Sequence, residues 1–183
     1  MSNNVDNLLR AVELYNRDLD KLIQSFYALE NELKQRTYQY EEIKSSVQNT
    51  KGSISAAMIP GDKQKLPSES EDWRQALRSD RDKLCLLESE TKMVTPRLSE
   101  LVETSKQALA KVDGFSGVVP KIQRDGNGND VETARNLLGK EYRDRRLKIR
   151  DGEVQVEARM GFFRDLIGEV KSEIDVILEW LKL

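Results

Sequence analysis

The chain has 183 residues, room for one domain on length alone, with 34% charged residues, 6% aromatics and a net charge of −2. That balance excludes whole-molecule attraction to nucleic acid, and it suits thin helical bundles with large surfaces better than a compact sphere. There is no histidine and a single cysteine, which removes the commonest general base, the usual catalytic triads, most zinc sites and any intrachain disulfide. No run of about 18 apolar residues is present, so no transmembrane helix is expected. No basic-then-apolar leader opens the sequence, so a cytoplasmic address is expected, with signal-less secretion left open. Cys85 lies among Leu84, Leu86 and Leu87 and reads as a buried thiol acting as a small hydrophobe.

From Val5 to Ile54 the residues Val5, Leu8, Val12, Tyr15, Leu19, Leu22, Phe26, Leu29, Leu33, Arg36, Tyr40, Ile43, Val47, Thr50 and Ile54 fall on an unbroken 3-4 repeat, interrupted in character only by Arg36 and Thr50. A spacing of 3.5 residues keeps one seam facing a partner helix over many turns. At about 1.5 Å per residue this first helix would run roughly 75 Å. It should end near Met58, where Gly52, Ser53 and Ser55 weaken its last turns and Pro60-Gly61 stops it. Residues 59–68 read as a polar linker, and Ser68 with Glu71 forms a capping box for the next helix.

The second stripe runs Trp73, Leu77, Asp80, Leu84, Leu87, Thr91, Val94, Leu98, Leu101, Ser105, Ala108 and Val112. It passes Thr95-Pro96 without slipping. Either one helix is kinked near residues 92–96, or Thr95 caps a fresh helix with Pro96 at its first position; the unbroken register favours the kink. Asp113-Gly114 ends the element, residues 114–129 form a second connection, and Asn129 with Glu132 starts a third helix. Its stripe runs Leu138, Tyr142, Arg145, Ile149, Gly152, Val156, Arg159 and Phe163, then shifts by one residue to Ile167, Val170, Ile174, Ile177 and Leu181. Gly139, Gly152, Gly161 and Gly168 interrupt this helix, for close helix approach or for softness.

Three long helices (about 4–58, 69–112 and 130–182) and two connections make an all-α fold: one elongated antiparallel three-helix bundle or coiled coil spanning 1–183, with a kink expected at Pro96. The helix count and Trp73 resemble a stretched spectrin repeat.

Four features could carry function. Asp125, Asn127 and Asn129 occupy alternate positions of an EF-hand-like loop, but Asp130 stands where glycine is wanted and Asn136 where a bidentate glutamate is wanted, so a flexible turn is expected and no metal or other cofactor. Phe115, Val118, Val119 and Ile122 are apolar in an open connection; they should plug the bundle end, or else offer a contact to a partner or bilayer. Arg135, Lys140, Arg143, Arg145, Arg146, Lys148 and Arg150, against Glu141 and Asp144, give a net of +5, whereas residues 165–183 carry −3. The helix dipole prefers the reverse order, so this polarity points to a solvated face, an acidic protein, anionic lipid or antiparallel self-pairing. Beyond Met160 the apolar face broadens to include Phe162, Phe163, Leu166, Ile167, Val176, Leu178, Trp180 and Leu183, more than one neighbour can bury, and with Ile174 and Ile177 of the stripe it is the candidate oligomer face.

No catalytic pair, phosphate loop or metal cluster stands out. The expectation is therefore a non-enzymatic coiled-coil scaffold or adaptor that binds proteins or self-associates, an antiparallel homodimer being one such arrangement, with no small-molecule substrate and no nucleic-acid role. The long helices, the Pro96 kink and the 135–150 patch also resemble BAR domains, which would imply a basic concave face docking on anionic membrane. A bacterial secretion-system or surface component is the third reading.

Overall fold

The computed structural model describes residues 2–58, 70–117 and 128–182. Helix α1 spans Ser2–Ala57, α2 Ser70–Lys92, α3 Val94–Asp113, α4 Gly128–Leu138 and α5 Lys140–Trp180, with one 3-10 turn at Gly114–Gly117. No strand occurs among the described residues. The fold is an all-α helical bundle, and the expected helix boundaries agree with the observed ones to within about two residues. Ser68, and with it the proposed capping box, lies outside the described residues, but Glu71 and Asp72 do occupy the first turn of α2 and Lys92 its last, the order the helix dipole favours.

The long second helix is interrupted at the single residue Met93, whose N–H still reaches the Ser89 carbonyl at 3.2 Å. The cause is Pro96: it has no N–H to offer the carbonyl four residues back, that of Lys92. Thr95 is already the second residue of α3 and does not cap it. The third helix is likewise interrupted at Gly139, where a Cβ would collide with the Arg135 carbonyl oxygen. Among its other glycines, Gly152 serves close approach, since a Cβ there would lie 2.8 Å from the Phe26 Cβ, whereas Gly161 and Gly168 meet nothing within 4 Å.

Packing divides the chain into two compact units, one formed by Met1–Asn31 and Thr95–Glu157, the other by Glu32–Val94 and Ala158–Leu183. Their boundaries fall near Arg36 on the α1 stripe, the break at Met93, and the phase shift of the α5 stripe, expected after Phe163 but lying between Val156 and Met160, because Met160 is buried and Arg159 only half-buried.

In the second unit, Tyr40, Ile43, Val47 and Ile54 of α1, Leu77, Leu84 and Leu87 of α2, and Phe163, Ile167, Val170, Ile174, Ile177 and Leu181 of α5 form one buried cluster, with Trp73, Leu166 and Leu178 packed on it. The strand-free order up, down, up is fixed by cross-helix pairs. Arg81 meets Asp175 at 2.7 Å and Glu88 meets Lys171 at 2.9 Å, so α2 and α5 run antiparallel. Lys51 meets Glu173 at 2.5 Å and the Tyr40 ring meets Phe163 edge-on at 5.9 Å, so α1 and α5 run parallel. Burial of each large apolar side chain stabilises by about 1.5–3 kcal/mol, against ~0–1 kcal/mol for an exposed ion pair, so the core holds the unit and the rim pairs only align it. Two buried positions of the α2 stripe are polar: Thr91 donates its hydroxyl to the Leu87 carbonyl at 2.7 Å, whereas Asp80 has Oδ1 on Lys83 Nζ at 3.0 Å and Oδ2 without a partner among the described residues.

In the first unit the buried apolar residues are Val5, Val12, Leu19, Ile23, Phe26 and Leu29 of α1, Leu98 and Val112 of α3, Ala134 of α4, and Tyr142, Ile149 and Val156 of α5, with Val5 and Ala134 in one cluster. The buried line of α1 here passes through Asn16 and Ile23, while Tyr15 and Leu22 of the expected stripe are half-buried. Asn16 Nδ2 donates to the Leu137 carbonyl at 3.1 Å. That carbonyl belongs to the last turn of α4, where the break at Gly139 disrupts the ordinary intrahelical pairing. Tyr142 donates its hydroxyl to Asp113 Oδ1 at 2.7 Å; burial, with this bond next, pushes the phenol up to about 12.

Candidate interaction surface

The seven bases of 135–150 all lie in the first unit, but α5 geometry separates them. Arg145 sits at a stripe position and turns inward, placing Nε and one terminal nitrogen on Asp20 of α1 at 2.9 and 3.0 Å and the other on Glu141 at 3.0 Å. Those hydrogen bonds, Asp20 first, push its guanidinium further up despite partial desolvation. Arg146 leans to Asp113 at 3.7 Å. Arg135, Lys140, Arg143, Lys148 and Arg150 are exposed. Arg145 is therefore a structural residue of the bundle and not part of an outward patch; its 3-4 register with Tyr142 and Ile149 was the available signal.

Opposite the buried Tyr142, Ile149 and Val156 runs an outward stripe of α5: Arg143, Leu147, Arg150, Val154. Successive steps of four, three and four keep these residues on one helical face. Leu147 and Val154 are 57% and 54% exposed, so more than half of each apolar residue is left in water by its own bundle. Neither Arg143 nor Arg150 has an ion pair among the described residues.

The expected oligomer face needs correction. Phe163, Ile167, Ile174 and Ile177 are buried in the second unit's own core and are closed to a partner. Leu166 is half-buried against that core. The arc is wide because α5 must touch two neighbours, α1 on the side of Glu173 and α2 on the side of Lys171 and Asp175, not because a second copy needs it. What remains outward is Phe162 at 65%, Trp180 at 52% and Val176 at 49% exposure. They share a flank with Glu169, since 162, 169 and 176 are spaced by seven and 180 follows by four. Glu169 is exposed, and its charge is one of those that, after burial, push the Tyr40 hydroxyl up.

Phe115 of the expected loop contact is half-buried and meets the Tyr15 ring at a 49° tilt, centroids 5.4 Å apart, so it closes onto the bundle as a plug. Val118, Val119 and Ile122 lie outside the described residues, as do Asp125 and Asn127 of the calcium-like loop; Asn129 and Asp130 already belong to the first turn of α4. Among the described residues no group of three or more His, Cys, Asp or Glu could hold a metal ion. Cys85 is half-buried, not buried, because it lies one step off the stripe. A shallow groove of about 370 Å³ in the first unit, lined by Ser25, Ala28, Leu29, Arg97, Glu100, Leu101 and Thr104, opens broadly to solvent. No described helix is long and apolar enough to cross a membrane.

No protein-family model, curated protein or solved structure matches this chain.

Proposed function

We propose that this chain is a non-enzymatic helical scaffold, cytoplasmic in address, that works by binding other protein surfaces and by self-association. The observation that supports this reading is the concentration on α5 of exposed apolar side chains interleaved with charge: Leu147 and Val154 among arginines, Phe162, Val176 and Trp180 beside Glu169. Single exposed apolar residues are ordinary, but residues repeated at helical spacing form a patch that water penalises and a partner helix can cover. Affinity capture from the source organism tests it, comparing the native protein with a quadruple variant carrying Leu147→Ser, Val154→Ser, Phe162→Ser and Val176→Ser. Protein species retained by the native chain and lost from the variant support the scaffold. Identical retention by both overturns it.

A membrane-binding reading rests on the same first stripe, because exposed arginines around exposed apolar groups also suit anionic lipid. Co-sedimentation with vesicles containing phosphatidylserine separates the two: binding that disappears with Arg143→Glu and Arg150→Glu supports the membrane reading, and no binding by the native protein rejects it.

A further inference from the structure

We propose that the partner of these α5 stripes is a second copy of the same chain, the basic stripe of one copy docking on the acidic stripe of the other. This rests on the scaffold reading and names its first partner. Charge complementarity carries the argument. The first stripe presents Arg143 and Arg150 around Leu147 and Val154. The second presents Glu169, with Asp165 one turn earlier, beside Phe162, Val176 and Trp180. Lys171, the only lysine of 165–180, is drawn away to Glu88 on α2 at 2.9 Å, so Phe162, Asp165, Glu169, Val176 and Trp180 make a stripe of acid and apolar groups on α5. Other acids of this half are already engaged: Glu173 is held by Lys51 and Asp175 by Arg81. Glu169 and Asp165 have no ion pair among the described residues. Asp144 and Asp151 border the first stripe on the flank away from Arg143 and Arg150, so they repel an acidic helix seated in the wrong orientation. Each copy carries both stripes, and reciprocal docking lets every stripe be covered, which is the isologous arrangement most homodimers adopt. The apolar side chains supply the contact, and the charges choose the pairing.

A charge-swap experiment on the full chain tests this. Light scattering at micromolar concentration should give twice the chain mass of 21.0 kDa for the native protein, with dissociation promoted by added salt. A copy with Arg143→Glu and Arg150→Glu has two acidic stripes, and a copy with Asp165→Lys and Glu169→Lys has two basic ones. Each alone should run toward the single-chain mass, its self-affinity weakened roughly tenfold or more by like charges. Mixed, the two should recover the native mass, because both reciprocal contacts are again complementary. All four positions are exposed, and circular dichroism of each variant confirms that the helices persist. A native protein at single-chain mass overturns the inference, as does failure of the mixture to associate where the native protein does. If face-dependent capture of other proteins persists in either case, the scaffold reading stands without self-pairing; if capture and association are both indifferent to the stripes, both readings fall. A monomer that binds phosphatidylserine vesicles through Arg143 and Arg150 overturns the inference in favour of lipid.

Discussion

Replacing Gly152 with alanine should destabilise the protein, although alanine is the better helix former. The gain in helix propensity is about 1 kcal/mol. Against it stands the Phe26 side chain: the new Cβ would meet its Cβ at 2.8 Å, its Cγ at 3.0 Å and its Cδ1 at 3.5 Å. Phe26 is buried and the nearest atom is the root of its side chain, so relief requires moving α1 from α5 rather than turning a ring. Overpacking of this kind costs about 1–3 kcal/mol, and the net change is a loss of roughly 0–2 kcal/mol. Gly168 is the control. It lies on the same helix with nothing within 4 Å, and Gly168→Ala should raise stability by about 0.5–1 kcal/mol. The two variants should differ by about 1–3 kcal/mol, or roughly 2–12 °C in Tm for a chain of this size. Thermal unfolding followed by circular dichroism measures both. In a double-mutant cycle, Gly152→Ala should be better tolerated on a Phe26→Ala background, which removes the Cγ and Cδ1 contacts and the ring packing that holds α1 in place. Gly152→Ala raising Tm as much as Gly168→Ala, with no coupling to residue 26, would refute the close approach.

Three further outcomes follow from the packing. Asp80→Leu should raise stability by up to about 1–4 kcal/mol, because it removes a buried carboxylate with one unpartnered oxygen from an apolar stripe; denaturant unfolding showing a loss would mean that Asp80 is satisfied in solution. Hydrogen bonds from Lys92 first, then Lys171, hold Glu88 down at about 2 from its ordinary 4.5. The folded chain therefore binds fewer protons there, and Glu88 contributes stability present above about pH 4.5 that is lost as pH falls toward 2. Glu88→Gln should cost less than about 1 kcal/mol at neutral pH, with the gap to native closing across that acid window in pH-dependent melts; a constant gap counts against the linkage. Phe163→Glu should unfold the second unit, by about 3–5 kcal/mol as for loss of a buried aromatic, rather than merely change the oligomeric mass; a well-folded Phe163→Glu variant would place Phe163 outside the core.

Much of this architecture is local and therefore legible in the chain itself. Helical periodicity is written residue by residue, so the long helices, their ends and most buried positions could be read directly, including polar Asp80 and Thr91. The effect of Pro96 was legible because the missing N–H acts four residues away, on the same helix. Neighbours decided the rest. Asn16 and Ile23 satisfy the 3-4 spacing as well as Tyr15 and Leu22 do, and only the direction from which α3 and α5 approach α1 chose between them. Arg145 counted as one more surface cation until Asp20, 125 residues earlier, gave it a bonded place at the seam. The broad apolar arc of 160–183 gave the amount of surface to be buried but not the number of helices that bury it. Two intrachain neighbours cover Phe163, Ile167, Ile174 and Ile177 and leave Phe162, Val176 and Trp180 in water. Spacing along one helix is a property of the backbone, whereas exposure is a property of the helices around it.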